Sequence, residues 1–166
     1  PLFFRTHMHD EKLEKLHSMK TSAEMGGGAE RVEAQHEKGK LTARERIDLL
    51  LDGNSFIEID KYVVHRSPES ETKKYYGDGV IIGFGKINGR EVCVYAYDFT
   101  ILGGSLGEMA GKKITKIMDH ALRIGTPLIG ILDSGGARIQ EGVSSLDGYG
   151  DIFFKNTLAS GLIPQI

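Results

Sequence analysis

The sequence has no tryptophan, one cysteine and four prolines among its 166 residues. The lone Cys93 excludes an internal disulfide and leaves no cysteine pair for zinc. Charge of neither sign dominates: 21 Lys and Arg stand against 23 Asp and Glu, a net of −2. That balance offers no basic footprint for nucleic acid and no like-charge tail. No apolar run approaches the ~18 residues that span a bilayer. The first 20 residues, rich in His, Lys and Glu, hold no apolar signal core, so no signal or transit peptide is expected. Together these absences predict a soluble, cytoplasmic protein. Glycine is what the chain has in excess, with 22 residues against an average near 7%. The glycines follow no three-residue period, which excludes collagen. A hydrophobic content of 40% is enough for a core.

The pattern reads as helices, then strands, then an α/β unit. Residues 1–10 form a terminal extension and 11–53 a helical segment. From Asp10 to Met25, Leu13, Leu16 and Met19 make one narrow apolar stripe. Gly26-Gly27-Gly28 breaks it, and a short helix from Ala29 to Lys38 ends at Gly39. Thr42 with Glu45 fits a capping box. Ile47, Leu50 and Leu51 give the next helix an apolar face, which Asp52-Gly53 stops. Phe56, Ile57 and Ile59 predict one strand, and Tyr62, Val63 and Val64 another. Residues 66–77 predict an exposed, disordered loop. Val80 to Ile87 and Glu91 to Tyr97 flank Asn88-Gly89, a hairpin signal because both residues tolerate positive φ. Cys93, Tyr95 and Tyr97 alternate onto one strand face, where packing is the default reading.

The period then becomes helical. Ser105 with Glu108 predicts a second capping box, and the apolar spacing predicts a helix over 105–124 that ends at Gly125. The continuous apolar run 127–132 predicts a strand buried on both faces. A β-α-β unit follows, right-handed by the general rule. A further helix is expected over 145–160. Leu162 to Ile166 reads as the start of another strand inside which the sequence stops, as in a piece of a longer protein.

Two glycine turns, Gly103-Gly104 and Gly135-Gly136, then lie at the C-terminal ends of adjacent parallel strands. Open α/β sheets bind ligands there. Backbone N–H groups in such turns suit an anion or a developing oxyanion. The alternative is two tight strand-to-helix turns that need glycine only for positive φ. Lys38, Lys40, Arg44 and Arg46 form a basic cluster that suits phosphates or a solvated helix face. Other motifs fail. Asp133-Ser134-Gly135-Gly136 looks like a serine-protease nucleophile segment, but it leaves an α/β strand. Leu132 replaces the first glycine of a nucleophile elbow. Gly83-Phe84-Gly85 leads into a hairpin instead of the helix that a dinucleotide fingerprint requires. His7 and His9 make only a loose terminal pair, so no metal site is expected. Asp98, Asp133 and Glu141 lie near the turns, yet none is assigned as a general base.

Four segments carry a resemblance. They are Lys38-Gly39-Lys40-Leu41-Thr42-Ala43-Arg44-Glu45-Arg46; Asp98-Phe99-Thr100 followed by Gly103-Gly104-Ser105-Leu106-Gly107; Asp133-Ser134-Gly135-Gly136-Ala137-Arg138-Ile139-Gln140-Glu141-Gly142; and Ala159-Ser160-Gly161-Leu162-Ile163-Pro164-Gln165-Ile166. In that order they resemble the biotin-dependent acyl-CoA carboxyltransferases. That family includes propionyl-CoA carboxylase beta subunits and methylmalonyl-CoA decarboxylase alpha subunits. The likeness runs from about residue 11 to the end.

The resemblance implies an α/β, crotonase-like superhelix of β-β-α units. Residues 54–166 would be the first part of its acyl-CoA-binding N-terminal domain, incomplete and preceded by helices. It implies transfer of a carboxyl group between carboxybiotin and the α carbon of a short acyl-CoA, propionyl- or methylmalonyl-CoA. The enolate oxygen would sit on the backbone N–H groups of Gly136 and Ala137, with proton transfer left to the cofactor. Gly103, Gly104, Ser105, Ser134 and Gly135 would line the acyl-CoA pocket, and Lys40, Arg44 and Arg46 would meet the CoA phosphates. Biotin would arrive on a partner subunit or domain. The implied partners are a biotin carboxyl carrier, a biotin carboxylase and further copies of the full-length chain, with neither nucleic acid nor direct membrane insertion. The setting is the cytoplasm, or the mitochondrial matrix in a eukaryote. These 166 residues alone are expected to be inactive. The alternatives are a decarboxylase alpha subunit of a sodium-pumping complex, a stand-alone crotonase-like hydratase or isomerase, and a non-enzymatic CoA-binding or assembly piece.

Overall fold

The computed structural model describes residues 2–66 and 74–166, with side chains from Asp10 onward. Helix α1 (Leu2–Glu24) runs without a break through residue 10, and α2 (Ala29–Glu37) follows the glycine triplet. Of the expected apolar stripe of α1, Leu13 and Leu16 are exposed and Met19 is half-buried. Helix α3 (Ala43–Leu50) begins with the expected capping box. Thr42 Oγ1 accepts the Glu45 N–H at 3.3 Å, and Glu45 Oε2 accepts the Thr42 N–H at 2.8 Å.

A mixed sheet follows in the order β1 (Ile57–Ile59), β2 (Val80–Ile87), β3 (Arg90–Tyr97), β4 (Leu128–Ile131). The first two pairings are antiparallel and β3–β4 is parallel. Asn88 and Gly89 both take positive φ and close the expected hairpin. The Asp52 carboxylate accepts both of their N–H groups, at 2.9 and 2.8 Å.

Alternation along β2 and β3 builds two cores. Val80, Ile82, Cys93 and Tyr97 pack against α4 (Glu108–Ile124) and α5 (Val143–Ala159). Ile81, Val92, Val94 and Ala96 pack against Ala43, Ile47 and Leu51 from α3 and its end. The sheet is therefore covered on both faces, and the leading helices belong to one of its cores. Gly125 ends α4 in the left-handed conformation, as expected. Among the described residues no helix is long and apolar enough to cross a membrane.

Four expectations need correction. Tyr62 to Val64 form no strand: Asp60 takes positive φ, and the Val63 N–H turns back to the Asp60 carbonyl at 3.2 Å. Of the expected loop at 66–77, residues 67–73 lie outside the described residues, and toward its C-terminal end Tyr75 is buried, not exposed. Strand β4 contributes to both cores but is only half-buried beyond Leu128, and Leu132 after it is exposed. Among the described residues, 164–166 alone border it on the side away from β3. Leu128 N–H donates to Pro164 O at 2.9 Å and Gly130 N–H to Ile166 O at 2.8 Å, so residues 164–166 run parallel to β4, whereas Leu162 and Ile163 still turn back to Ala159 O.

The fourth concerns Ser105 and Glu108, which form no capping box. Helix α4 starts at Glu108 with Gly107 as its N-cap. Positive φ at Leu102, Gly103 and Gly104 carries the chain away first. Ser105 Oγ then donates to Leu102 O at 2.8 Å and leaves the helix start to other acceptors.

Candidate functional site

The two glycine turns meet above the C-terminal ends of β3 and β4. The Gly135 N–H donates to Gly103 O, and the Leu106 N–H donates to Gly136 O, both at 2.9 Å. The Arg138 N–H returns to Leu106 O at 2.9 Å. Gly104 must be glycine here, because a Cβ would lie 2.2 Å from the Asp133 carbonyl oxygen. The predicted juxtaposition of Gly103, Gly104 and Ser105 with Ser134, Gly135, Gly136 and Ala137 is therefore what the fold produces. The stitching uses up several amides and leaves others. Gly136, at φ 102, donates its N–H to Ser134 Oγ at 3.1 Å. The Ala137 N–H has no protein acceptor among the described residues.

The basic cluster divides. Lys40 Nζ and Arg46 Nη2 both reach Asp133, at 3.1 and 2.9 Å, and Gln35 Nε2 joins them at 3.0 Å. Arg44 instead forms a two-pronged pair with Glu58 at 2.9 and 3.3 Å and stays apart from the turns. Lys40 Nζ also lies 5.5 Å from the centre of the Phe99 ring. Lys38 lines a cleft of about 250 Å³ with Arg31, Gln35, Phe99, Leu102 and Gly103.

The nearby carboxylates are occupied. Asp98 is buried, and its Oδ1 accepts the Thr100 N–H at 3.0 Å and the Thr100 hydroxyl at 2.6 Å. Burial raises its pKa, with Thr100 opposing. Partial burial also pushes Asp133 upward, but hydrogen bonds from Lys40 and Gln35 and the Lys40 and Arg46 charges outweigh it. The Asp133 carboxyl is held below the usual range. Glu141 pairs with Arg138 at 2.9 Å and accepts the Glu108 N–H at 2.7 Å. All three accept hydrogen bonds within the protein, Asp98 through Oδ1 alone.

Two residues escaped the reading of the sequence. Asp78 is fully buried and pairs with Arg138. Burial raises its pKa while Arg138 opposes. Asp78 lies in a Gly-Asp-Gly turn, which signals chain reversal but no carboxylate role. Arg31, at the edge of the cleft, donates to Thr100 O at 3.3 Å. Its position on the apolar-poor face of α2 gave no cue.

A family model described as the carboxyl transferase domain matches residues 34–166. The propionyl-CoA carboxylase beta chain of Roseobacter denitrificans is 57% identical over 156 residues, covering 93% of this chain and 31% of that protein. The methylmalonyl-CoA decarboxylase subunit alpha of Veillonella parvula is 54% identical over 158 residues, covering 94% and 31%. A solved structure of transcarboxylase 12S, with methylmalonyl-coenzyme A and methylmalonic acid bound, has a TM-score of 0.91 at 46% identity. It covers 94% of this chain and 31% of its own. The chain thus spans about 31% of the length of these relatives. The α/β, crotonase-like fold expected from the resemblance is the one found. By sequence and by shape alike, the chain belongs to the carboxyl transferase domain family.

Proposed function

We propose that these residues form the acyl-CoA half of a carboxyltransferase active site. The reaction moves a carboxyl group between biotin and the α carbon of a short acyl-CoA, propionyl- or methylmalonyl-CoA. One observation carries the reading: an Ala137 N–H without a protein acceptor, at a turn where a second amide, that of Gly136, is held only by the Ser134 hydroxyl. Two neighbouring amides of this kind suit the oxygen of a thioester that becomes an enolate. Ser134 is then a holding acceptor whose place the oxygen takes, and Gly103, Gly104, Ser105 and Gly135 form the wall beneath the acyl chain. Lys40 and Arg46 are the phosphate-binding candidates, with Arg31 and Lys38 beside the cleft. Arg44 has its charge committed to Glu58.

The turn offers backbone donors, but Asp98, Asp133 and Glu141 are each tied by hydrogen bonds. The site fits the thioester, and in this reading the α proton goes to a group from elsewhere. Bound biotin, brought on a partner subunit or domain, supplies both the carboxyl group and that proton acceptor. The partners are a biotin carboxyl carrier, a biotin carboxylase and further copies of the full-length chain. The setting is the cytoplasm or, in a eukaryote, the mitochondrial matrix; the similar rat beta chain is described as mitochondrial.

The near-equal likeness to a methylmalonyl-CoA decarboxylase alpha subunit supports a second direction, release of the carboxyl group from methylmalonyl-CoA. The same amides serve it, because both directions pass through one enolate.

Ala137→Pro in the product of the full reading frame tests the reading. Proline deletes the N–H. Loss of one oxyanion donor lowers kcat by roughly 100- to 1,000-fold, while binding of propionyl-CoA persists. An unchanged kcat overturns the reading.

A further inference from the structure

Arg138 follows Ala137 directly and is 3% exposed. Each of the five N–H groups of its guanidinium has an acceptor. Nη1 donates to Asp78 Oδ1 and, at 2.9 Å, to Glu141 Oε1. Nη2 donates to the carbonyls of Ser105 at 2.8 Å and Asp78 at 3.4 Å. Nε donates to Ser105 Oγ at 3.3 Å. The remaining oxygens of the two carboxylates accept the first-turn amides of α4. Asp78 Oδ2 takes Ala110 N–H at 3.0 Å and Glu141 Oε2 takes Glu108 N–H at 2.7 Å. One cation between two anions leaves a net negative charge, which the positive end of α4 offsets.

What this cluster holds matters more than its charge. Arg138 grips Ser105 by both its carbonyl and its hydroxyl. The next residue, Leu106, donates its N–H to Gly136 O at 2.9 Å. In a planar trans peptide the N–H points opposite to the C=O. With Gly136 O fixed on Leu106, the Ala137 N–H is aimed away from Leu106 and out of the stitched pair of turns.

We infer that Arg138 is a positioning residue for the oxyanion site, acting through Ser105 and Leu106 to fix the direction of the Ala137 N–H. The inference rests on the proposal that this amide receives the thioester oxygen. Lysine cannot substitute, because an ammonium is a point charge with three donors and no planar fork.

The test compares three variants of the product of the full reading frame, with propionyl-CoA as the probe. Steady-state kinetics, direct binding and thermal unfolding are read together. Arg138→Lys is expected to lower kcat per folded protein roughly 100-fold, the scale of a misplaced reacting group. Its affinity for propionyl-CoA should stay within about threefold, as for an interaction felt only in the transition state. Should Arg138→Lys fail to assemble, Glu141→Gln decides. It keeps the shape and, with its amide oxygen on Glu108, drops both the charge and the acceptor for Arg138 Nη1, and its kcat should fall roughly tenfold, a smaller share of the same effect. Ala137→Pro separates the two readings. If it turns over like the wild type, the oxyanion reading fails and this inference with it. If it loses kcat while folded Arg138→Lys or Glu141→Gln keeps the wild-type kcat and loses only melting temperature, Arg138 is merely structural and the positioning role is overturned.

Discussion

Arg46 and Asp133, 87 residues apart in sequence, meet at 2.9 Å. The contact ties α3 to the start of the glycine turn after β4. With Lys40 and Gln35 on the same carboxylate, it fixes the helical segment against the candidate site.

The first prediction concerns acid. The Asp133 carboxyl is held below the usual range in the folded chain, net of an opposing push from burial. The folded state then binds fewer protons than the unfolded one as pH falls toward the carboxylate range. Stability from this group is full above the unfolded pKa and is lost as pH falls through the folded one. Asp133→Asn should lower the melting temperature at pH 7 and flatten its fall between about pH 5 and pH 3. Parallel melting curves for both proteins across that window would remove Asp133 from the acid response.

The second concerns the seat of the N-terminal helices. The Gly27 N–H donates to Thr100 Oγ1 at 2.9 Å, and a Cβ on Gly27 would lie 1.9 Å from Thr100 O. Gly27→Ala must therefore push the α1–α2 turn off the loop that follows β3. The expected cost is about 1–3 kcal/mol, the range for overpacking, read as a drop in melting temperature. A melting temperature equal to that of the wild type would show that the turn shifts freely.

The third concerns Lys113, 2% exposed on α4. Its Nζ donates to Gly77 O at 2.8 Å and also to Val80 O. Burial lowers its pKa to about 8, against opposing pulls from Glu58, Asp78 and Asp60. Here the folded state sheds a proton that the unfolded state keeps up to the ordinary lysine range. Stability from this group therefore rises with pH between about 8 and 10. At about 1.4 kcal/mol per unit, the rise amounts to roughly 3 kcal/mol. Lys113→Met should remove that slope, so the difference in melting temperature between wild type and variant should change from pH 7.5 to pH 9.5. A constant difference would place the titration elsewhere.

Local chemistry made much of the fold legible. Asn88-Gly89 and the Thr42/Glu45 pair each encode their geometry within four residues, and both formed. The Ser105/Glu108 pair has the same spacing yet failed, because Asp78 and Glu141 supply the acceptors for α4 from elsewhere in the chain. No local pattern announces that. The basic cluster was half legible. Arg44 and Arg46 are two residues apart on α3, so they point to opposite sides of the helix. One side faces Asp133 and the other Glu58. The glycine turns were legible as a pair. The Asp78–Arg138 contact beneath them joins residues 60 apart and left no trace in periodicity.

The last prediction separates phosphate binding from scaffolding at Arg46. Its guanidinium already bonds Asp133, so a phosphate would have to share or take over that contact. A charge-assisted hydrogen bond is worth about 1.5–3 kcal/mol, so its loss should raise KM for propionyl-CoA roughly tenfold or more. Arg46→Gln in the product of the full reading frame is therefore assayed with two thioesters, propionyl-CoA and propionyl-pantetheine, which lacks the phosphates. If Arg46 meets phosphate, the rise in KM appears with the first substrate and vanishes with the second. If Arg46 serves only to hold Asp133 and its turn, both substrates suffer alike and the loss falls on kcat. Equal kinetics with both thioesters would assign the phosphates to other cations, with Arg31 and Lys38 at the cleft next to be replaced.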